Sequence, residues 1–473
     1  MGGAGSMKSD SMAGYGEQTA AAVANFGRGR TPREVIRALA EVKEACLRAL
    51  QATEKPWSEP VFAAVVESLE EIRAGDRDDL FPLDLAQGGA GTSLHMNICE
   101  VLASCVAEKT GRADAFHFLD DGARSQSTND VVTTAAVVVV QRLIRRVETA
   151  VIALQEALVK RERVWRGVLV TGRTEWQDAL PMDLSLAASA WAGSAERDRW
   201  RLSKLKERSR TVPIGGTAVG TGAGAAPAYV FAAERLLREI TALPLQRSQN
   251  LADAIAQRDD FAEVAGGFGL VAANLHKLCG DLFFYTSSVV GELALPALQW
   301  GSTAMPAKNN PVLVEYCAGL AVRASASASA IVRYAEEGRL QLNAFTPFMV
   351  DAFLRAATDL EAALGALSSG LLPRLVADPR RAVDNLARSA APLNALRADL
   401  PYERLKAIAT DRGSTVAAGT DAAGMDAAGM DAAVSARVEY LCADLAGRTG
   451  LPLDLVRSRL GLSPAARAYT DTL

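Results

Sequence analysis

Histidine and aromatic residues are scarce in this chain of 473 residues. It has 3 His, and Phe, Trp and Tyr together make up 6% of it. Lys and Arg number 51 against 55 Asp and Glu, so the chain has no basic excess of the kind that a phosphate backbone demands. We therefore expect no nucleic-acid partner.

Cysteine is rare and scattered, without a CxxC pair or a His at ligand spacing. The cysteines are Cys46, Cys99, Cys105, Cys279, Cys317 and Cys442. This spacing favours neither a disulfide framework nor a zinc site, and it is typical of a reducing compartment. Residues 1–15 contain no apolar stretch resembling a secretory signal. The sequence thus predicts a cytoplasmic protein.

Long apolar runs are also few. The uncharged run from Thr211 to Ala233 has the length of a membrane span, but glycines and two prolines, Pro213 and Pro227, interrupt it. We interpret this run as a glycine-rich loop and expect no membrane association.

Ala, Leu and Val supply much of the apolar content, which favours an all-α protein. Val131 to Trp165 contains no Gly or Pro and predicts one long helix. A capping box with Pro at the first helical position predicts another helix from Thr31. Further helices are predicted over Ala228–Leu243, Leu251–Leu282, Pro311–Glu337, a pair between Phe348 and Leu396, and Val434–Gly461. So many long helices predict a multi-helix bundle larger than a four-helix unit.

We expect three domains. They are an N-terminal helical domain over 1–130, a central long-helix bundle over 131–395, and a small helical C-terminal domain over 396–473. The last contains a low-complexity insert, 411–433, with the repeat Asp-Ala-Ala-Gly-Met. Because this insert has too little bulk for a core, we expect a flexible linker there.

Four polar segments interrupt the helical pattern and are candidates for a functional site. They are Gln87–Asn97, Ser125–Asp130, Thr171–Ala179 and Gly301–Pro311. The first could aim helix N–H groups at an anion or be a plain loop, and the third could be an ordinary loop. The fourth brackets a serine, a lysine and two asparagines with Gly and Pro, which suits a mobile loop that closes over a small carboxylate.

Together these segments resemble the aspartase/fumarase superfamily, over the chain from about Tyr15 to Ala409. The most specific phrase is Gly301 to Pro311, similar to the family's Gly-Ser-Ser-x-Met-Pro-x-Lys-x-Asn-Pro, with Thr303 replacing the second serine. Gly-Arg-Thr at Gly172–Thr174 and Gln-Asp-Ala at Gln177–Ala179 also match. The run from Gln126 to Asp130 is similar to the corresponding sequence motif of aspartases.

This resemblance implies a homotetramer with active sites shared by three subunits, which catalyses a reversible elimination on a small dicarboxylate or amino-dicarboxylate. It implies that Ser302 is the catalytic base, and that the intermediate is an aci-carboxylate. The implied substrate ligands are Lys308, Asn310 and Thr174 for one carboxylate, Thr92, Ser127, Thr128 and Thr303 for the other, and Asn129 for the departing amine. No step of this chemistry needs a metal or an organic cofactor, so we expect none.

Glu175 is the most informative departure from the family pattern, because fumarases carry His and aspartases usually Gln after Gly-Arg-Thr. His95 likewise replaces an Asn of the family's Asn-Met-Asn phrase. An ionised Glu175 would favour a cationic leaving group. Alternatively, Glu175 is protonated by burial, or is paired with Arg173 or another cation, and substitutes for Gln as a hydrogen-bond donor.

The sequence leaves three functions open. The favoured one is a carbon–nitrogen lyase that releases ammonia or an amine from L-aspartate or a substituted amino-succinate to give fumarate. The second is a fumarate hydratase, for which we would expect His in place of Glu175. A catalytically silent structural relative is disfavoured by the intact Ser302, Lys308 and Asn310. The leaving group could be ammonia, a larger amine, or a nitro or nitroso group.

Overall fold

The computed structural model describes residues 14–410 and 427–461, which form an all-α protein with a few short strands. In chain order the helices are α1 Glu17–Phe26, α2 Arg33–Thr53, α3 Glu59–Ala74, α4 Thr92–Thr110, α5 Thr128–Val164, α6 Leu184–Arg208, α7 Pro227–Thr241, α8 Leu251–Ala256, α9 Asp259–Thr286, α10 Val312–Glu336, α11 Thr346–Gly365, α12 Pro379–Arg388, α13 Ala391–Asn394, α14 Tyr402–Thr410, α15 Ala427–Thr449 and α16 Leu453–Arg459. The strands are β1 Leu169–Thr174, β2 Gln177–Asp183, β3 Thr211–Val212, β4 Gln246–Arg247, β5 Leu293–Ala294 and β6 Val376–Ala377. A π-helical turn, Ala366–Leu371, follows α11.

The chain divides into two compact units. Unit 1 contains Met1–Thr149, Asp198–Ala273 and Val322–Glu361, and unit 2 contains Ala150–Arg197, Asn274–Ala321 and Ala362–Leu473, so far as these residues are described. Five long helices, α5, α6, α9, α10 and α11, have residues in both units. The division into three domains that the sequence suggests stays a prediction.

Unit 1 is built around α2, which packs against α3 and α7. Its apolar residues recur at helical spacing and are buried, as the sequence predicts. The predicted cap is wrong. The helix begins at Arg33 without a side-chain cap, and the Thr31 hydroxyl donates instead to the Leu83 carbonyl oxygen at 2.7 Å.

Unit 2 contains an antiparallel hairpin of β1 and β2, so the interpretation of Thr171–Ala179 as an ordinary loop is wrong. Helix α12 packs against β1, and α15 packs against α12 and α16. Leu386, Leu441, Cys442 and Val456 belong to the apolar cluster that these elements bury. The hairpin is therefore supported by a buried apolar core.

Several boundaries differ from the sequence prediction, and the helix predicted over Val434–Gly461 is broken between α15 and α16. The stretch predicted over Leu251–Leu282 is broken at Gln257 and Arg258, between α8 and α9. The run over 211–233 is a loop only from 213 to 226, because β3 precedes it and α7 follows it. Most of the proposed linker, 411–426, lies outside the described residues. The linker prediction is wrong for 427–433, which belong to α15.

Two findings concern the described residues as a whole. No helix among them is long and apolar enough to cross a membrane. All six cysteines are buried as free thiols. Burial raises the pKa of the Cys46, Cys279 and Cys317 thiols to about 12.

Candidate active site

Helix α4 opens with a run of left-handed backbone. Gly89, Ala90 and Gly91 have φ values of 84°, 58° and 85°. Thr92 follows as the first helical residue, half-buried, and its hydroxyl donates to the Gly89 carbonyl oxygen at 2.7 Å. Since the first N–H groups of a helix have no partner within the helix, this turn can present donors to an anion.

Helix α5 begins at the second candidate segment, which is anchored by Asp130. The Asp130 carboxylate accepts the N–H of Ser127 at 2.9 Å and that of Thr217 at 3.0 Å. Asn129 Nδ2 donates to the Ala218 carbonyl oxygen at 2.8 Å. These bonds fix the start of α5 against the glycine-rich loop. Burial raises the pKa of Asp130 to about 6, although the N–H donors oppose the shift.

A buried lysine connects these helix starts. Lys43 Nζ lies 2.9 Å from His95 Nε2, and it also donates to the Gly122 carbonyl oxygen at 2.5 Å and to Gln126 Oε1 at 2.9 Å. His95 Nδ1 lies 3.1 Å from the Thr128 hydroxyl. Burial and the neighbouring Lys43 charge hold the pKa of His95 well below its usual value.

The protonation of this network follows from its donors. An ammonium group can only donate, so His95 Nε2 accepts from Lys43 and Nδ1 carries the imidazole proton. Nδ1 then donates to the Thr128 hydroxyl. Thr128 accepts this bond, and its own proton has no acceptor in the described residues. Thr128 is therefore set to donate to a ligand.

Thr174 and Glu175 lie at the tip of the β1–β2 hairpin. Thr174 pairs with Gln177, so Glu175 and Trp176 form a two-residue loop, with φ values of 52° and 67°. Such loops usually contain Asn-Gly, because both residues have positive φ. Residues with a side chain cost about 1–2 kcal/mol each in this conformation. Strain of this kind is typical of functional sites.

Arg173 does not pair with Glu175. Its guanidinium lies 2.9 Å from the buried Glu292 carboxylate and 2.9 Å from Asp178. Glu175 is exposed and has no ion pair among the described residues. In the described chain Glu175 is thus neither buried nor paired with Arg173 or another cation.

The loop over 301–311 holds the Ser302 hydroxyl oxygen between two donors. The N–H groups of Ala304 and Met305 lie 3.1 and 3.0 Å from Ser302 Oγ. Two such donors stabilise negative charge on the oxygen. The two bonds form a serine turn at the start of the loop, and the same N–H groups would stabilise an alkoxide at this oxygen.

The ends of this loop meet closely. Asn310 Nδ2 donates to the Gly301 carbonyl oxygen at 2.6 Å. A Cβ at position 301 would lie only 2.2 Å from the Lys308 carbonyl oxygen, so only glycine fits there. Thr303 and Lys308 are exposed on the loop. Lys308 has no ion pair among the described residues, so its ammonium group is free to meet an anion.

The candidate residues fall into three groups. Thr92, Ser127, Thr128 and Asn129 belong to unit 1, while Thr174 and Glu175 on the hairpin, and Ser302, Thr303, Lys308 and Asn310 on the loop, belong to unit 2. No hydrogen bond or ion pair joins the hairpin group to the loop group among the residues described. The same residues contain no cluster of three or more His, Cys, Asp or Glu that could hold a metal ion.

A family model described as lyase matches residues 5–325 of the chain. The chain belongs to the aspartase/fumarase superfamily. Within it, a class II fumarate hydratase from Thermus aquaticus is 32% identical over 402 residues, which cover 82% of this chain and 86% of the relative. An aspartate ammonia-lyase from Bacillus subtilis is 31% identical over 406 residues, which cover 84% and 85%. The identities to a hydratase and to an ammonia-lyase are nearly equal. They establish an enzyme of the lyase superfamily but do not distinguish between the two reactions.

A solved structure agrees with this assignment. A fumarate lyase:delta crystallin from Brucella melitensis, bound to cobalt, superimposes with a TM-score of 0.83 at 30% identity and covers 96% of both chains. The expected all-α superfamily fold is confirmed.

Lys43 and Glu292 were not among the candidate residues identified from the sequence. Lys43 is fully buried. Its position on the apolar stripe of α2, between Leu39 and Cys46, is the sequence feature that indicates this burial. Glu292 is also fully buried and pairs with Arg173 behind the hairpin tip. No local pattern indicated that contact, because its partners are 119 positions apart.

Proposed function

We propose that this enzyme is a carbon–nitrogen lyase that eliminates ammonia or an amine from L-aspartate or a substituted amino-succinate, giving fumarate. The observation that carries the proposal is the pair of N–H groups on Ser302 Oγ, since a serine alkoxide needs such stabilisation to serve as a base. The reaction class rests on the resemblance to aspartases and on the exposed carboxylate of Glu175, which suits an amine.

In the proposed reaction, Ser302 Oγ removes the proton from the carbon next to the one that bears nitrogen. The electron pair moves onto the adjacent carboxylate as an aci-carboxylate, then forms the double bond as the carbon–nitrogen bond breaks. The nitrogen is protonated as an ammonium group in the substrate, so it keeps the bonding pair and leaves as neutral ammonia or amine. Preorganised donors stabilise the dianion as it forms, each by a few kcal/mol.

The donors divide the work in this proposal. Lys308, Asn310 and Thr174 hold one carboxylate. Ser127, Thr128 and Thr303 hold the other, joined by Thr92 when its hydroxyl turns from the Gly89 carbonyl oxygen to the ligand, and Asn129 meets the departing amine. The hydrogen-bond chain from Lys43 through His95 to Thr128 supports this role for Thr128. It leaves the hydroxyl proton of Thr128 free to donate to a carboxylate oxygen.

A homotetramer with shared sites is part of the proposal, because the resemblance implies it. Mixing two inactive variants, altered at Ser127 and at Ser302, tests it. Regained activity after reassembly supports shared sites. Failure in a demonstrated tetramer contradicts them.

The test of function uses the purified protein with L-aspartate and, in the reverse direction, with fumarate and an ammonium salt or an amine. We expect fumarate to form from the amino-succinate and new succinyl adducts to appear by mass spectrometry. Hydration of fumarate to malate without amine chemistry would indicate the hydratase instead. Absence of both reactions with fumarate, ammonium and amines would support the silent relative.

A further inference from the structure

Unit 2 contains a cavity of about 510 Å³ beside the hairpin tip. The hairpin, the first turns of α6 and the last turns of α9 line it. Much of the wall is aromatic, from Trp176, Trp191, Phe284 and Tyr285. Trp176 packs edge-on against Phe284 with ring centroids 4.8 Å apart, and Trp191 against Tyr285 at 6.1 Å. A wall of this kind suits an apolar or aromatic guest.

Small residues leave the space open. Ala187 and Ala190 on α6 and Gly280 on α9 line the cavity. A Cβ at Gly280 would meet no atom within 4 Å. Because larger side chains at these positions would fill the cavity, it is a consequence of these particular residues.

Three of the four Asp, Glu, Lys and Arg side chains in the lining are already paired. Asp281 accepts the Trp191 indole N–H at 2.7 Å and pairs with Lys277. Arg173 is held by Glu292 and Asp178, outside the lining. Glu175 has no partner among the described residues, so it gives the cavity an uncompensated negative charge.

We propose that this cavity binds the apolar or aromatic body of an amine whose ammonium group lies against Glu175. This inference rests on the proposed function and names its substrate class, an aspartate N-substituted by an arylalkyl group. An ammonium ion needs no such volume, whereas a body of phenethyl size fits a cavity of several hundred Å³. The aromatic wall and the carboxylate together favour a cation with an apolar body.

The experiment compares phenethylamine with ammonium as the partner of fumarate, and measures binding of phenethylamine alone by calorimetry. In the parent we expect binding of phenethylamine and a higher kcat/KM for it than for ammonium. Gly280→Leu fills the cavity and should lower both the binding and kcat/KM of phenethylamine at least tenfold, with ammonium unchanged. Gly447→Leu, also at a helical glycine with open space, is the matched control and should change neither. Ala190→Leu fills the cavity from α6 and replaces Gly280→Leu if that variant fails to fold.

Glu175→Gln separates the charge from the shape. It should weaken binding of phenethylamine about tenfold and leave binding of phenethyl alcohol, which has no charge, unchanged. Equal losses for both ligands, or a Gly280→Leu variant that binds phenethylamine as the parent does, would overturn the proposal.

The two proposals fail differently. If ammonium adds to fumarate while phenethylamine neither binds nor reacts, the cavity proposal is wrong and the lyase proposal stands. If phenethylamine binds and Gly280→Leu abolishes the binding, but no amine adds to fumarate, the cavity stands and the lyase proposal is wrong.

Discussion

Lys43 Nζ donates to His95 Nε2 at 2.9 Å in the interior of unit 1, and this contact sets the proton on the far side of the imidazole. A fully buried ammonium is tolerated because each of its protons has an acceptor: His95, Gly122 or Gln126. A residue of the helix core thus determines the hydrogen-bonding direction of the Thr128 hydroxyl.

Replacing Lys43 should destabilise unit 1. Lys43→Met keeps the length of the side chain but removes the donor to the buried His95, to the Gly122 carbonyl oxygen and to the half-buried Gln126, so the free energy of unfolding should fall by about 2–4 kcal/mol in urea denaturation. Lys204→Met, at an exposed lysine that pairs with Glu207, is the control and should change it by no more than about 0.5 kcal/mol. Equal effects would contradict the network.

Asp130 should make stability depend on pH. Its pKa is about 6 in the folded chain and lower when unfolded, so between about pH 4 and 6 the folded state binds more protons. Stability therefore falls as pH rises through this range and then levels. Denaturation of the parent and of Asp130→Asn across pH should give a difference that declines by up to about 1.4 kcal/mol per pH unit. A difference independent of pH would contradict a raised pKa.

Ser302→Ala should lower turnover by several orders of magnitude, because no other hydroxyl replaces the base. Because most of the loop is exposed, the substitution should cost little stability. The control is Ser329→Ala, which removes an exposed hydroxyl on α10 and should keep full turnover. Steady-state kinetics of fumarate formation check both variants, and a Ser302→Ala enzyme within tenfold of the parent would remove Ser302 from the mechanism.

Lys308→Ala should weaken binding of succinate, a competitive inhibitor, by about tenfold or more, since the loop loses its cation. Lys308→Arg should restore this only in part, because a planar guanidinium differs in shape from an ammonium. Inhibition constants measure the effect. An unchanged constant in the alanine variant would mean that Lys308 does not meet the carboxylate.

Glu175 should set the preference for the leaving group. Two unit charges about 4 Å apart interact by about 4 kcal/mol at an effective dielectric of about 20, so an ionised Glu175 disfavours a bare dicarboxylate. Glu175→Gln should shift kcat/KM towards plain aspartate, and Glu175→His towards malate. If both variants keep the parent's order of substrates, Glu175 does not determine specificity.

The long helices could be predicted because their apolar residues repeat with a helical period, as along Val131–Trp165. Local chemistry was predicted less well. Thr31 has the sequence of a cap, yet tertiary packing gives its hydroxyl to Leu83. The hairpin at Thr171–Ala179 lacks the Asn-Gly that normally marks such a turn.

The candidate site was predicted as segments, not as contacts. The resemblance identified Ser302, but the two N–H groups on its oxygen became visible only with the loop folded. The partners of Arg173 were beyond prediction, because Glu292 belongs to another segment and nearby Glu175 was the obvious choice from sequence.

The buried thiols give the chain a set of internal reporters. Alkylating reagents react with thiolates, and burial raises the pKa of Cys46, Cys279 and Cys317 to about 12. Each cysteine therefore resists alkylation until the helix that contains it opens. The labelling rate of each cysteine, resolved by peptide mapping, therefore measures how often α2, α9 or α10 opens in the native protein.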